Sequence, residues 1–396
     1  MATETATRRR LTPVMRQGEQ VMPLELFFDL VFVLALTQCT QVMSNDPHWG
    51  GLVQGLLVLA VLWWSWVGYA WLTSVVDPEE DEVRAVLFVA MAGSLLVALC
   101  VPGSFGNLAL AFALSYGVVR IAHIGLFWLA SRDDPNLRKS VVGLAISTAI
   151  AIGILSAASL TDGFAQGALW GLAIVLDMAG PYFFGAEGWK LMPAHFAERH
   201  GLIIIIALGE SIVAIGVGVG THLTFGKGTA AVVGMALAAA MWWLYFDVVA
   251  LVAARRLVRA EAGRVQNEMA RDSYSFLHFP MVAGIVLVAL AMKKTLAEVG
   301  EPLAIVPAFA LLGGLAMYLL AHVAFRYRHI HTVNARRTGL ALVFLALLSI
   351  ATEVPALVIL AIATSLVWIL IAFETRSYGE NRARVRHEDF TPETAA

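Results

Sequence analysis

The chain has 396 residues, of which 59% are apolar and only 14% are charged. Soluble domains carry about 25% charged residues, so this composition excludes a water-soluble enzyme, a disordered chain and a secreted disulfide scaffold. It indicates a polytopic membrane protein, as does the mean hydropathy of +0.76. The formal net charge of −2 identifies no partner by itself, and we expect no nucleic acid partner. Cys39 and Cys100 lie in apolar runs, where we expect reduced thiols.

A membrane helix needs about 20 mostly apolar residues to cross roughly 30 Å of hydrocarbon. Twelve stretches qualify and predict an all-α bundle of about twelve membrane helices over 21–374, between disordered cytoplasmic segments at 1–20 and 375–396. Glu353 and Pro355 separate the last two spans, which together would be too long for one crossing. The predicted spans are roughly 24–43, 52–75, 84–101, 107–130, 140–158, 166–186, 201–220, 229–253, 273–293, 304–325, 338–352 and 355–373.

The distribution of Lys and Arg predicts how the bundle is oriented, because cytoplasmic loops of membrane proteins carry an excess of both residues. Of the 27 Lys and Arg residues, only Lys227, Lys293 and Lys294 fall in the loops of one side, and Arg120 lies inside a span. We therefore expect a multi-pass protein of a bacterial-type cell (inner) membrane with both termini in the cytoplasm.

The order of the spans also predicts an internal repeat of two sixes, about 21–187 and 195–374. Repeats with an even number of spans enter the membrane from the same side and are related by an axis along its normal. Chance matches between apolar helices are the alternative. The matching elements are Trp63-Trp64 with Trp242-Trp243, residues 92–99 with 283–290, and Tyr116 before Arg120 with Tyr318 before His322.

Three ionisable residues lie near the middle of predicted spans, namely Arg120, Asp177 and Glu210. Such residues cost roughly 3 kcal/mol each on insertion scales and usually face the bundle interior. Two acids and one arginine permit two interpretations. In the first, Arg120 forms a structural ion pair with Asp177 or with Glu210. In the second, at least one of the two acids is left to bind a proton during transport.

The first span carries two acids near its start, Glu25 and Asp29, which share one helix face because they are four residues apart. Glu25 follows Pro23 in the first turn, where an acid complements the helix dipole. Asp29 lies one turn deeper among Phe and Leu residues. Asp29 is therefore the stronger candidate for a role beyond stabilising the helix end.

A further set of polar residues shares a depth near the cytoplasmic ends of the spans and predicts a polar vestibule. A single histidine in a bundle is more often a packed side chain than a ligand, so the shared depth carries the prediction. Histidines titrate near neutral pH. Arg199 and His200 would form the gate of this vestibule, and its other members would be His123, Asp247, His278 and His322.

The sequence contains no motif for zinc hydrolysis, a serine nucleophile or phosphate binding. His329 and His331 lack a carboxylate partner in register. We therefore expect neither an enzyme nor a bound metal or cofactor. The expected partners are membrane lipids, which the basic segment 254–272 would contact, and a small solute or proton.

Two motifs resemble the hallmarks of the bacterial low temperature requirement A family. Residues 23–33 read PLELFFDLVFV, and residues 195–201 read HFAERHG, followed by GES at 209–211. The resemblance runs over about 20–375 and implies a membrane protein of that family while leaving its reaction open. It marks as characteristic polar positions Glu25, Asp29, Glu198, Arg199, His200, Glu210 and Ser211.

Two functions from different classes are compatible with these features. The leading hypothesis is a secondary transporter or channel-like protein for a small solute or ion, coupled if at all to protons. Asp29, Glu210 and Asp177 would bind protons, and Arg120 would supply the internal counter-charge. The alternative is a non-transporting membrane component with a lipid-related or assembly role in cold or stress adaptation.

Overall fold

The computed structural model describes residues 20–183 and 188–377, which fold into a helical bundle and confirm the predicted all-α class. A π-helical stretch, Ala270–Phe276, precedes the helix that begins at His278. The helices are α1 (Pro23–Asn45), α2 (Trp49–Thr73), α3 (Asp81–Cys100), α4 (Ala109–Ala130), α5 (Pro135–Ala158), α6 (Gly163–Phe183), α7 (Pro193–Val219), α8 (Phe225–Phe246), α9 (Val249–Arg259), α10 (Arg264–Met269), α11 (His278–Ala297), α12 (Ile305–Ile330), α13 (Ala335–Leu347) and α14 (Ala356–Ser377).

Within these ranges, 11 helical stretches are long and apolar enough to cross a membrane. They correspond to the first ten predicted spans and to the last. One boundary differs by more than two helical turns in α7, which begins at Pro193 rather than at residue 201. Proline is favoured at the first helical position, where its missing N–H is not needed. The whole segment 195–201 therefore lies in the first turns of α7.

The eleventh predicted span, 338–352, differs most from expectation. Its helix, α13, has only 13 residues, or about 20 Å at 1.5 Å per residue, which is too short to cross alone. Turns follow α13, and the amide of Ala356 then donates to the carbonyl of Glu301 at 2.9 Å. Glu374, at the far end of α14, bonds Asn334 before α13 at 2.9 Å. The chain between residues 334 and 356 thus covers the same depth as α14 without being one helix.

The predicted disordered segments lie mostly outside the described residues. Of 1–20 only Gln20 is described, and of 375–396 only residues 375–377, which continue α14 and were wrongly placed in the tail. The end of the sixth predicted span, residues 184–186, also lies outside the described residues.

The two predicted halves meet along α1 and α7, with α2 and α11 packed beside them. Corresponding helices have similar neighbours: α1 packs against α2 and α3, and α7 packs against α8 and α11. Likewise α2 contacts α6, and α8 contacts α14. These neighbours are the ones that a six-span repeat requires, and the repeat itself stays a prediction.

The most buried segment is the middle of α11, residues 281–292, which is surrounded by other helices. Large apolar side chains on the outside of the bundle are exposed instead, as Leu26, Phe27 and Leu30 show on α1. A surface of this kind suits contact with lipid chains rather than water. We call the face at which α1 and α7 begin the basic face, because most Lys and Arg of the loops lie there.

Helices α11 and α12 pack closely against each other at Gly284 and Gly314. A Cβ at Gly284 would lie 2.7 Å from the carbonyl oxygen of Gly314, and a Cβ at Gly314 would lie 2.9 Å from that of Gly284. Small residues allow membrane helices to pack this closely.

Gly284→Leu should therefore destabilise the bundle by about 1–3 kcal/mol, because α11 and α12 would be forced apart. The measurement is thermal unfolding of the purified chain in detergent. Gly216→Leu is the matched control, since a Cβ at Gly216 would meet nothing within 4 Å. Equal unfolding temperatures for the two variants would contradict this account of the packing.

Candidate functional site

The two sequence motifs face each other across the contact between α1 and α7. Arg199 donates to Glu25 Oε1 at 2.9 Å and to Asp29 Oδ1 at 2.7 Å. The acids are four residues apart on α1, so both point at α7. All three side chains are buried, with Arg199, Glu25 and Asp29 each 1% exposed. The structure thus joins both motifs in one ion network near the basic face.

Side chains that the sequence did not single out complete this network. The His195 ring lies 2.9 Å from Glu25 Oε1 and 3.1 Å from Ser74 Oγ. From α2, the Trp66 indole donates to Asp29 Oδ1 at 2.9 Å, and Arg199 donates to the hydroxyl of Thr73 at 3.3 Å.

Only one of these additional network residues could be predicted from the sequence. His195 belongs to the motif segment, four residues before Arg199, which is a usable signal for a shared helix face. Trp66, Thr73 and Ser74 lie in another span, and nothing in the sequence linked them to the motifs.

Two carboxylates share the guanidinium of Arg199, and the His195 ring beside Glu25 is the other group in the network that can carry a positive charge. Burying an ion pair is favourable only when further hydrogen bonds satisfy its remaining polar atoms. Here Asp29 Oδ2 and Arg199 Nε are buried without a hydrogen-bond partner among the described residues. The network therefore leaves one oxygen of the buried Asp29 carboxyl without a hydrogen bond in the part of the chain that the structure describes.

Glu210 lies at the other end of the same helix contact. It is buried, and the hydroxyl of Thr37 on α1 lies 2.5 Å from its Oε2. One turn further along α1, Gln41 accepts a hydrogen bond from Lys293 of α11. Glu210 is 17 residues from the start of α7, or about 25 Å. It therefore lies beyond the middle of α7 itself, and its predicted position near the bilayer midplane stays a prediction.

The remaining motif positions have different surroundings. Glu198 is exposed and accepts a hydrogen bond from the amide of Val21 at 3.2 Å. Ser211 is buried, and its Oγ has no hydrogen-bond partner in the part of the chain described. His200 is buried, and its Nδ1 donates to the carbonyl of Phe196 at 2.8 Å.

Arg120 pairs with Asp177, and not with Glu210, which settles that alternative. The Arg120–Asp177 ion pair measures 3.2 Å, and Thr148 and Tyr116 donate to the two oxygens of Asp177 at 2.9 Å each. Arg120 and Asp177 are 1% and 2% exposed. This network lies wholly within the first half, between α4, α5 and α6.

The predicted vestibule residues separate into two groups. His278 and His322 pack against Tyr245, which donates to His278 Nε2 at 2.8 Å, and the His200 ring lies 5.2 Å from that of His278. His123 lies apart in the first half, against Tyr69 and Phe127. Asp247 lines a cavity together with His322. One shared vestibule is therefore not formed, although three of its four histidine positions and Asp247 lie in one region.

Across residues 20–183 and 188–377, no three His, Cys, Asp or Glu side chains come together as metal ligands would.

Arg120 and His123 line a cavity of about 60 Å³ near the basic face. A smaller cavity of about 10 Å³ touches Asp177.

The chain matches the model of a family described as bacterial low temperature requirement A protein (LtrA) over residues 20–372. The chain belongs to this family. It is also 30% identical over 307 residues to an uncharacterized protein of Rhizobium meliloti (strain 1021), with 74% of each chain covered. No solved structure matches. The matched range includes both motifs, so the resemblance proposed from them is confirmed.

Arg199→Gln should destabilise the protein by about 3–5 kcal/mol, because it leaves Glu25 and Asp29 buried without a counter-charge. Thermal unfolding in detergent measures the loss. Adding Asp29→Asn to this variant should recover part of it, since one buried charge is then removed.

Arg264→Gln serves as the control for the loss of an arginine. Arg264 is 75% exposed in its pair with Glu268, and exposed pairs contribute at most about 1 kcal/mol. An Arg199→Gln variant no less stable than Arg264→Gln would show that the α1–α7 network does not hold the halves together.

Proposed function

We propose that this LtrA-family chain is a secondary transporter or channel-like protein for a small solute or ion, coupled to protons, and that it is not an enzyme. The observation that carries the proposal is the placement of the motif acids. Asp29 and Glu210 lie toward opposite ends of one helix contact, α1 with α7, and this contact joins the two halves of the bundle.

At the basic face, a bound proton would change how firmly the halves are held. Glu25 and Asp29 together carry one charge more than Arg199 can balance. With the His195 ring beside Glu25 neutral, a proton on Asp29 matches the charges, whereas its loss leaves one buried negative charge that favours opening toward water. Proton binding and the α1–α7 contact are thereby coupled.

At the other end, the hydroxyl of Thr37 allows Glu210 to exist with or without a proton. This hydroxyl lies 3.0 Å from the carbonyl of Val33 and 2.5 Å from Glu210 Oε2. Its single hydrogen serves one acceptor at a time. When it points to Val33, Glu210 must supply the hydrogen of the short contact; when it points to Glu210, Oε2 accepts it and the carboxyl needs no proton on that oxygen.

The stretch between the two acids is apolar. Phe32 and Leu36 of α1 and Ile203 of α7 are buried there. Asp29 and Thr37 are eight residues apart, or about 12 Å along α1, so a proton does not pass directly between the acids. This separation favours a carrier, in which the halves move relative to each other, rather than an open pore.

The same proposal includes location and partners. The exposed apolar surface fits surrounding lipid, and the Lys and Arg distribution supports both termini being cytoplasmic in a bacterial cell membrane. The transported species is a small solute or ion, whose chemistry the α1–α7 contact does not identify.

A second candidate is a non-transporting component with a lipid-related or assembly role in cold or stress adaptation. The observation that favours it is the closed Arg120–Asp177 network, in which both carboxylate oxygens are bonded. A purely structural pair needs no path to water.

Glu210→Gln should abolish proton movement while the protein stays folded, because glutamine preserves the shape but cannot exchange a proton. The measurement is flux into liposomes that contain the full chain and a trapped pH-sensitive dye, with pooled amino acids, sugars and inorganic ions as solutes. Asp29→Asn should also reduce the flux.

The matched control is Glu268→Gln, which removes an acid from the exposed pair with Arg264 and should transport as the wild type does. Wild-type flux in a folded Glu210→Gln variant would remove Glu210 from the mechanism. No flux of protons or solutes with the wild-type chain would favour the second candidate.

A further inference from the structure

The second half of the bundle contains a cavity of about 310 Å³ at the basic face. It lies where α8 passes into α9 and where α12, α13 and α14 meet. Its lining residues come from four separate regions of the chain, around residues 243–252, 322–330, 334–337 and 371–374. The volume is at the lower end of the range of pockets that bind small molecules, about 300–1,000 Å³.

Two acids and two arginines line this cavity. Arg337 forms a two-pronged ion pair with Glu374, at 3.1 Å and 2.9 Å. Asp247 and Arg326 supply the other two charges. Because the lining charges balance, the cavity favours an occupant that is neutral overall but carries both signs, over a simple anion or cation.

His322 adds a buried polar atom to the lining. Its Nδ1 lies 2.8 Å from the carbonyl of Tyr318, which can only accept, so Nδ1 carries the hydrogen. In the neutral ring Nε2 is then an acceptor. His322 is 1% exposed, and its Nε2 has no hydrogen-bond partner among the described residues. A buried acceptor left in this way is suited to a donor from a ligand.

The rest of the lining is mostly apolar. Trp243 lies on one side, Val249 and Val252 on α9 form another, and Ile330 and Ile371 come from α12 and α14. Binding pockets of this composition hold an apolar body and orient it by a few polar groups.

We propose that this cavity binds a small zwitterion with an apolar body, such as an α-amino acid with a large apolar side chain. Its carboxylate is placed toward Arg326 and Arg337, and its ammonium toward Asp247 and the Nε2 of His322. The binding site itself does not depend on the proposed function. Only the statement that this ligand is the transported solute rests on it. A phosphatidylethanolamine headgroup shares the two charges and is a second source of the same chemistry.

Ring contacts connect the cavity with the motif network. His322 packs against Tyr245, which bonds His278, and the His278 ring lies 5.2 Å from that of His200. His200 in turn contacts Trp66, the residue that donates to Asp29. An occupant of the cavity is therefore joined by a continuous set of buried rings to the acids at the contact between the halves.

The test is equilibrium binding of radiolabelled L-phenylalanine to the full chain, purified in detergent without phosphatidylethanolamine. Saturable binding is expected, and Asp247→Asn and His322→Phe should each weaken it by about tenfold or more, the effect of losing a hydrogen bond to a charged group. Phenylacetate and phenethylamine, which each lack one charge, should compete at least about tenfold more weakly than L-phenylalanine.

His123→Phe is the matched control. His123 is a buried histidine with no hydrogen-bond partner on its ring nitrogens among the described residues, but it lines the 60 Å³ cavity of the first half. This variant should bind L-phenylalanine as the wild type does. Absence of saturable binding in detergent, together with no effect of phosphatidylethanolamine on thermal stability, would overturn the proposal. So would binding that both cavity variants leave unchanged.

Two further measurements distinguish a lipid headgroup from a free solute as the ligand, and distinguish failure of this binding site from failure of the proposed transport. Loss of L-phenylalanine binding in phosphatidylethanolamine nanodiscs, but not in phosphatidylglycerol nanodiscs, would assign the site to the lipid headgroup; equal binding in both would assign it to the free solute. Binding without flux in liposomes would contradict transport while leaving this site in place. Proton flux without binding would contradict the site and leave transport in place.

Discussion

The guanidinium of Arg199 between Glu25 and Asp29 sets the relation of the two halves. An isolated charge is too costly to leave in hydrocarbon, so α1 and α7 must align with their first turns at the same level. That alignment places Trp66 and His200 beside the network and brings Thr37 opposite Glu210 at the far end. The helix contact is consequently polar at both ends and apolar between them.

The two buried ion networks of this molecule differ in how fully their acids are hydrogen-bonded. Around Asp177 the hydrogen bonds are complete, because Arg120, Thr148 and Tyr116 all donate to it. Such a network is what a structural pair needs. In the Arg199 network two acids share one arginine, and one oxygen of Asp29 has no hydrogen-bond partner among the described residues. This difference between the two networks is the reason why the proposed proton binding is placed on Asp29.

The halves are similar in outline but different in the space they enclose. In each half an arginine bonds an acid on the last helix, Arg120 with Asp177 on α6 and Arg337 with Glu374 on α14. Both halves have a cavity near the basic face, of about 60 Å³ in the first and about 310 Å³ in the second. The cavity at the basic face is therefore larger in the second half than in the first.

The sequence alone determined the membrane class, eleven of the twelve spans and the family. Each membrane helix satisfies its own backbone hydrogen bonds, so its signal is local in the chain. The partner of Arg120 and the short α13 depended on tertiary packing. Arg337, which had the sequence position of a loop charge, is only 8% exposed in the fold. Pairs and cavities are made by side chains from distant parts of the chain, and only the packed bundle decides which of them meet.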